Sequence, residues 1–244
     1  MINLTTASDI YGGALFYWSM AKKTSKAPKQ VPELLLRKAM QHGTLLEADK
    51  AAILSLRPRT KLVSAGEDLV RQGDQPDVAI MVLSGMLARY HTLPTGDRQY
   101  VALHISGDLP DVQSLFLSVM DHSLCALDRS EVGILPHDQL RDLFLKRPGI
   151  GFAVWRLTLV DAAIFREAVT NIGARNHVAR LAHLFCEQYV RSREANLVEG
   201  WSCSLPLNQG QIGQMLGMSH ISVNRALNRL RKESLAEFRS GTRF

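Results

Sequence analysis

The stretch that decides the fold lies near the C-terminus and reads Asn208-Gln-Gly-Gln-Ile-Gly-Gln-Met-Leu-Gly-Met-Ser219, followed by His220-Ile-Ser-Val-Asn-Arg-Ala-Leu-Asn-Arg-Leu230. Its pattern predicts two short helices joined by a tight turn. Asn208 is a good N-cap, and Gln211 three residues later completes a variant of the capping box. Gly217 falls where a helix ends with a positive φ, which glycine adopts without steric cost.

The second helix has two different sides. Ser219 is placed to cap it, and its apolar residues recur at the spacing of one buried stripe: Val223, Ala226, Leu227 and Leu230. The same spacing on the other side relates Ile221, Asn224, Arg225 and Asn228, with His220 and Arg229 beside them. Asn and Arg can form bidentate hydrogen bonds with adenine and guanine edges, and an apolar group can contact a thymine methyl. A short helix of this kind, held by a partner helix, fits a DNA major groove. An ordinary helical hairpin with a solvated polar face is the alternative that the pattern leaves open.

The charge distribution favours DNA. Residues 205–244 carry six basic and two acidic side chains, a net +4, and residues 1–32 carry four Lys and one Asp, a net +3. Since the whole chain has a net charge of +6, the middle is close to neutral. Neutralising phosphates requires such a basic surplus on the face that meets the duplex.

These residues resemble a known family. Ile212-Gly-Gln-Met-Leu-Gly-Met-Ser219, followed by Val223-Asn-Arg-Ala-Leu-Asn-Arg-Leu-Arg231, is similar to the winged helix-turn-helix of the CRP/FNR superfamily of bacterial transcription regulators. Upstream, Arg71-Gln-Gly-Asp and Leu83-Ser-Gly-Met-Leu resemble parts of that superfamily's cyclic-nucleotide-binding β-roll. The resemblance extends from about Leu34 to the C-terminus.

The 244 residues suit two modest domains. We expect an α+β protein with a basic N-terminal extension (1–32), an antiparallel β-roll sensory domain (33–149), a dimerisation helix and hinge (150–173) and a winged helix-turn-helix (174–244). Short alternating runs between residues 60 and 135, separated by Gly-containing turns, predict the roll. A first strand of the wing is expected from Leu235 to Gly241, with little chain left for a return strand.

A long helix is predicted from Ile150 to Ile172. Its apolar stripe is Ile150, Val154, Leu157, Ile164, Ala168 and Ile172, widened by Phe165 and Val169. The resemblance implies that this helix pairs with its twin in a homodimer; packing on the roll is the alternative. Asp161 lies on the stripe at a cost, and the sequence does not name its partner.

The resemblance also locates an effector pocket. Nucleotide-binding members hold the ribose with a Gly-Glu pair after a Gly-Asp, and the phosphate with an Arg-Ser pair. Aligning Gly107-Asp108 with that Gly-Asp puts Asp111 and Val112 at the Gly-Glu positions and His122 and Ser123 at the Arg-Ser positions. A valine cannot accept ribose hydroxyls, and an imidazole is mostly neutral at pH 7. The sequence therefore argues against cAMP as the effector.

Other cofactors find little support in the sequence. Cys125, Cys186 and Cys203 fall short of the four thiolates of an iron–sulfur cluster, and the oxygen-sensing branch of the family carries its cluster on N-terminal cysteines. Metal-capable residues cluster in sequence but match no ligand spacing: His104, Asp108, Asp111, Asp121 and His122. No metal site is assigned, and haem, a metal, a redox signal or no ligand at all stay open as alternatives for the effector. We expect no enzyme activity, and no membrane span, since no segment reaches the ~18 apolar residues that a span requires. A cytoplasmic protein is expected.

The function predicted is a transcription regulator that binds a palindromic operator as a homodimer, with RNA polymerase as a partner implied by the resemblance. Arg225 is expected to read a guanine, supported by Asn224 and His220. Phosphate contacts are assigned to Gln209, Ser219, Ser222, Asn228 and Arg229. Ile221 stands where the superfamily usually has a recognition glutamate, so the operator should differ from the family's best-known consensus. The alternative is a signalling module whose roll binds a small ligand and whose C-terminal domain docks protein.

Overall fold

The computed structural model describes residues 30–41 and 43–239. The N-terminal extension predicted for residues 1–32 therefore lies almost entirely outside the described residues. The chain divides into the roll unit, Pro28–Phe165, and the C-terminal unit, which begins at Arg166. This division falls inside the long helix, earlier than the boundary that was predicted between residues 173 and 174.

Among the described residues, two helices precede the roll: α1 (Val31–Gln41) and α2 (Glu47–Leu54). The α1 helix buries Leu34, Leu35 and Ala39 in the core of the unit. The second helix begins after Leu46, whose backbone N–H donates to the carboxylate of Asp49 at 3.2 Å.

Seven antiparallel strands form the roll: β1 (Arg59–Val63), β2 (Asp68–Val70), β3 (Val78–Ser84), β4 (Leu87–Thr92), β5 (Arg98–His104), β6 (Ser123–Ala126) and β7 (Ser130–Pro136). They make a three-stranded sheet of order β1-β7-β3 and a four-stranded sheet of order β2-β6-β4-β5. The predicted antiparallel roll is confirmed. Strand β6 follows a short 3-10 helix at Val112–Leu115.

Two apolar clusters stabilise the roll unit. One lies among the strands and includes Val70, Ile80, Leu87, Leu124 and Val132. The other joins the strands to the helices and includes Leu34, Ile53, Met81, Leu135 and Ile150. Burying such side chains contributes ~1.5–3 kcal/mol each relative to leaving them exposed, which makes these clusters the main source of the unit's stability.

The helices after the roll are α3 (His137–Lys146) and α4 (Pro148–Ala174). Pro148 is the first residue of α4, where a proline costs no hydrogen bond and has a suitable φ. The predicted apolar stripe was partly wrong, because Ile150 and Val154 are buried in the core of the roll unit. The exposed apolar side of α4, called here the α4 strip, consists of Phe152, Trp155, Leu159, Phe165, Val169 and Ile172.

By length and composition, α4 is apolar enough to cross a membrane, which differs from the expectation that no segment is long and apolar enough for a span. Apolar length alone is weak support for a span, since a helix that packs against a partner helix has the same composition.

The C-terminal unit contains α5 (His177–Glu194), α6 (Gln209–Leu216) and α7 (His220–Lys232). Its buried core includes Leu181, Phe185, Ile212, Val223 and Leu230. In the described residues after α7, up to Arg239, the predicted first strand of the wing is not formed. Phe238 instead stacks on Phe185, with ring centroids 5.8 Å apart. The rest of the predicted wing, from residue 240, lies outside the described residues.

Candidate nucleic-acid interface and effector pocket

The turn between α6 and α7 is built by local hydrogen bonds. The side chain of Asn208 accepts from the backbone N–H of Gln211 at 2.9 Å, and the side chain of Gln211 accepts from the N–H of Asn208 at 2.8 Å. Both halves of the predicted capping box are therefore present. Gly217 ends α6 with a φ of 61°, the left-handed conformation predicted for it. A Cβ on Gly213 would lie 2.6 Å from the carbonyl oxygen of Met218, so the backbone of the turn packs closely against α6 here.

The second helix presents the predicted polar face. Ser219 caps α7 by accepting from the N–H of Ser222 at 3.2 Å. Val223, Ala226 and Leu230 are buried. The opposite side exposes His220, Ile221, Asn224, Arg225, Asn228 and Arg229, whereas Gln209 and Ser222 are half-buried. Ile221 is 64% exposed, a large apolar side chain offered to solvent at the centre of this face.

A directed chain of hydrogen bonds crosses the exposed face. Arg231 donates to the side-chain oxygen of Asn228 at 3.0 Å, and Asn228 donates to the oxygen of Asn224 at 2.9 Å. Asn224 in turn donates to Gln209 on α6 at 3.5 Å. Because every donor points the same way, the amides have defined orientations, and each keeps a second N–H for another acceptor. Arg231 was not among the predicted site residues, although its position three residues after Asn228 on the same helix predicts a contact between the two side chains.

The two predicted DNA-contacting arginines differ in their surroundings. Arg225 is exposed and makes no hydrogen bond or ion pair with the described part of the chain. Arg229 forms an ion pair with Glu233 at 2.8 Å, on the surface of the same helix. Such an exposed pair is weak because solvent screens both charges, so a phosphate can replace the carboxylate at small cost.

A polar network joins the end of α4 to the rest of the C-terminal unit. Arg175 donates to Glu167 at 2.6 Å and to the side chain of Asn171 at 3.3 Å. Asn171 donates to the carbonyl of Arg180 at 3.2 Å, and Arg180 donates to the carbonyl of Leu216 at the end of α6 at 3.2 Å. These bonds connect the end of α4 with α5 and with the end of α6.

In the roll, the predicted effector-pocket residues are engaged within the protein. Asp108 accepts from the N–H of Ile105 at 2.9 Å and forms an ion pair with Lys38 at 2.8 Å. Gly107, with a φ of 95°, makes the turn that precedes Asp108. Val112 is buried in the apolar cluster that joins strands and helices. Only the last two predicted residues, His122 and Ser123, remain as polar groups for the pocket.

His122 and Ser123 are both buried. The hydroxyl of Ser123 accepts from the backbone N–H of Gln72 at 3.0 Å, so it already stabilises the turn after β2. The Nδ1 atom of His122 lies 2.8 Å from the carboxylate of Asp121. Burial, followed by the positive charge of Arg89, lowers the pKa of His122 below its usual value, which favours the neutral imidazole at pH 7.

Asp111 and Arg89 were not predicted as pocket residues. The carboxylate of Asp111 is fully buried and accepts from the N–H of Ile80 at 2.7 Å. Burial raises the pKa of Asp111 to about 7, against the opposing effects of the Ile80 hydrogen bond and Arg89. Arg89, on β4, donates to the carbonyl of Pro110 and to Asp161 on α4. The contacts of Arg89 and Asp111 could not be predicted from the sequence, because their partners lie far away along the chain.

The described residues contain no group of three or more His, Cys, Asp or Glu side chains arranged to hold a metal ion. The three cysteines are free thiols. Burial raises the pKa of both Cys125 and Cys203 to about 11, so neither is an activated thiolate at neutral pH.

Two family descriptions match the chain. Residues 60–147 match the cyclic nucleotide-binding domain, and residues 179–244 match the Crp-like helix-turn-helix domain. A roll of this type joined to a helix-turn-helix of this type defines a transcription regulator and not an enzyme.

The relatives are regulators too. The fumarate and nitrate reduction regulatory protein of Vibrio cholerae is 26% identical over 195 residues, which cover 79% of this chain and 76% of that protein. Regulatory protein HlyX of Actinobacillus pleuropneumoniae is 24% identical, over 79% of this chain and 80% of its own. The structure of FixK2 from Bradyrhizobium japonicum shares the fold, with a TM-score of 0.69 at 20% identity, covering 77% of this chain and 92% of that one. This chain belongs to the CRP/FNR superfamily and is a DNA-binding transcription regulator.

Proposed function

We propose that this regulator binds a palindromic operator as a homodimer, paired through α4. The observation that carries the proposal is the α4 strip. Phe152, Trp155 and Leu159 are 62%, 57% and 48% exposed, and they follow one another at spacings of three and four residues. That spacing is the one by which two helices form a shared apolar seam. A contiguous apolar surface of this kind on a regulator is best explained by a partner helix.

The occupant favoured by the geometry is a second copy of α4. A two-fold pair would place one recognition helix on each side of the axis, in major grooves about one helical turn apart. Two identical α7 helices then read inverted half-sites, which is why we infer a palindrome. RNA polymerase as a partner, and a cytoplasmic location, follow from the family and form part of the same proposal.

The dimer is tested with Trp155→Glu, matched with Leu145→Glu on α3. Leu145 is 82% exposed and lies outside the α4 strip, so it controls for the added charge. We expect light scattering to give twice the monomer mass for the unchanged protein and for Leu145→Glu. Trp155→Glu should give a monomer with an unchanged circular dichroism spectrum and weak operator binding. A dimer that persists in Trp155→Glu would contradict pairing through α4.

Each α7 helix is proposed to read bases with Arg225, Asn224 and His220, and to meet the thymine methyl or another apolar edge with Ile221. Gln209, Ser219, Ser222, Asn228 and Arg229 are proposed to contact phosphates and sugars. With an isoleucine in place of a carboxylate, acceptance from a cytosine amino group is lost at that base step. The operator should therefore favour an A·T pair there.

The operator is identified by selecting bound duplexes from a random DNA pool, with and without cell extract. Recovery of an inverted repeat supports the proposal, and recovery of only single half-sites would oppose it. If extract changes the recovery, a soluble effector is implicated. The same selection also tests the signalling-module alternative, because a domain that docks only protein would enrich no DNA sequence.

We further propose that the effector is not cAMP and that no iron–sulfur cluster is bound. Val112 offers no ribose acceptor, and His122 replaces the permanent charge of an arginine. Calorimetric titration with cAMP should give no saturable heat. Saturable binding of cAMP in the micromolar range would contradict the proposal.

A further inference from the structure

One guanidinium in the roll unit is turned towards the interior. Arg89 lies on the same side of β4 as Leu87, which belongs to the cluster among the strands. The side chain of Arg89 is 15% exposed. Its Nε and Nη2 atoms donate to the carbonyl oxygen of Pro110, with Nε at 2.7 Å. Its Nη1 atom donates to the Oδ2 atom of Asp161 at 2.5 Å.

The Arg89–Asp161 pair joins two distant parts of the unit. Asp161 lies on α4, 72 residues from Arg89, and its side chain is 31% exposed. A guanidinium withdrawn from water needs a compensating anion, because an uncompensated buried charge is strongly destabilising. The anion is here supplied by the chain's own carboxylate.

The surroundings of Arg89 include incompletely satisfied polar groups. The Oδ2 atom of Asp111 and the Nε2 atom of His122 are buried without a hydrogen-bond partner among the described residues. Both side chains are at least nine-tenths buried, and the charge of Arg89 acts on the titration of each. Such orphaned polar atoms are rare in folded proteins, and a bound ligand is one common reason for them.

In this roll, the arginine that could recognise an anion lies on β4 and not at the position of His122. The position at which nucleotide-binding relatives of the family have an arginine holds His122, and the adjacent Ser123 is already bonded to Gln72. The permanent positive charge of the pocket is therefore supplied by Arg89 on β4, with the fork geometry that suits carboxylates and phosphates.

We propose that Arg89 forms an anion-binding site in the roll, that Asp161 occupies it as an internal anion, and that the effector is a small carboxylate or phosphate that replaces Asp161. The effector role rests on the proposed regulator function, whereas the site itself can be tested without DNA. Replacement would release α4 from its bond to β4. Since α4 carries the α4 strip, ligand binding and dimer geometry would be linked.

The test is chemical rescue of Asp161→Asn, which removes the carboxylate and preserves its shape. Thermal unfolding is followed while sodium acetate or sodium phosphate replaces sodium chloride at constant ionic strength. We expect Asp161→Asn to lower Tm by roughly 2–8 °C, because the guanidinium loses its anion. Acetate or phosphate should then raise the Tm of this variant in a saturable way, as a ligand of the folded state does. The stronger of the two identifies the ligand class.

The matched control is Asp142→Asn. Asp142 lies on α3 and pairs with Lys146 at 2.8 Å, but both side chains are exposed. Asp142→Asn should behave like the unchanged protein, and both should respond to acetate and phosphate much less than Asp161→Asn, because the carboxylate of Asp161 competes for Arg89. The double variant Arg89→Gln with Asp161→Asn should also show no rescue, because it lacks the guanidinium.

Two results would overturn the proposal. One is a Tm for Asp161→Asn equal to that of Asp142→Asn, and the other is a response of Asp161→Asn to acetate and phosphate no greater than to chloride. If Asp161→Asn does not fold in chloride, its refolding yield in acetate or phosphate decides the matter: restored folding supports the site and continued failure contradicts it. Because these measurements use no DNA, failure of the site is distinguishable from failure of the proposed operator or dimer.

Discussion

In the C-terminal unit the polar side chains assigned to function point outward, whereas in the roll unit the corresponding polar side chains point inward. The exposed face of α7 carries Asn224, Arg225 and Asn228, and the residues that shape it are bonded to neighbours three or four positions away. In the roll, Arg89 and Asp111 are bonded to partners 72 and 31 residues away. A surface for a large polyanion can be built locally, whereas an enclosed site must be assembled from distant segments.

The buried carboxylate of Asp111 should make the stability of the roll unit depend on pH. Burial raises the pKa of Asp111 to about 7, above its value of ~3.9 in an unfolded chain. The folded protein therefore holds this proton more tightly, so the stabilisation is complete below about pH 4 and is lost as the pH rises towards 7. Asp111→Asn keeps the acceptor for Ile80 and removes the titration. At ~1.4 kcal/mol per pH unit, we expect it to gain up to about 4 kcal/mol over the unchanged protein by pH 8.

Denaturant unfolding from pH 4.5 to 8 checks this expectation. His122 and His137 have lowered pKa values, mainly from burial, and favour stability at higher pH, so the comparison must be between proteins and not along one profile. The exposed Asp142→Asn serves as the control. A constant difference between Asp111→Asn and the unchanged protein across this range would show that Asp111 does not titrate there.

On the outward surface, the largest effect should come from Arg225. Arg225→Ala should reduce operator affinity by ~1–3 kcal/mol, about 5- to 150-fold, and relax discrimination at one base step. Arg229→Ala should weaken all sequences by a similar, smaller factor and reduce the salt dependence of binding. Quantitative binding to an operator and its single-base variants separates the two roles. An unchanged base preference in Arg225→Ala would refute its reading of a base.

The close packing of α6 against the backbone of the turn before α7 can be tested with glycine substitutions. In Gly213→Ala the new Cβ would lie 2.6 Å from the Met218 carbonyl oxygen, which belongs to the backbone and has to move. We expect a loss of ~1–3 kcal/mol in the free energy of unfolding. Gly173→Ala, with no atom within 4 Å of its Cβ, should instead gain up to ~1 kcal/mol of helix propensity. Equal stability of the two variants would contradict the close packing.

The smallest effect should come from the cap of the recognition helix. Ser219→Ala removes the acceptor for the N–H of Ser222 and should cost ~1 kcal/mol in unfolding free energy. Ser219→Asp restores a capping acceptor and should recover that stability. If Ser219→Asp were no more stable than Ser219→Ala, the loss would have to be explained by something other than capping.

Several features of the C-terminal unit could be predicted because their causes are close in sequence. Asn208 and Gln211 form the reciprocal capping box, Gly217 has the left-handed φ, and the apolar side of α7 is buried. The predicted wing strand is not formed in the described residues, which extend to Arg239. Phe238 stacks on Phe185 there.

The long helix shows the limit of periodicity. Its apolar residues surround more than one side, and the sequence grouped Ile150 and Val154 with residues that are exposed. The structure buries these two against the roll and exposes Phe152 and Trp155 instead. Periodicity cannot identify strand β6 either, because all four of its residues are buried and the strand shows no alternation. It is stabilised by pairing with β2 and β4.

The class of protein could be predicted from local interactions alone: the caps, the glycine turn and the two-sided recognition helix all depend on residues a few positions apart. Long-range packing was needed to show which carboxylate faces Arg89, which side of α4 remains exposed, and that the end of α4 is bonded to the helix-turn-helix. A hydrogen bond or ion pair between distant residues leaves no periodic pattern along the chain. Its existence depends on which strands and helices pack together and on how much water they exclude.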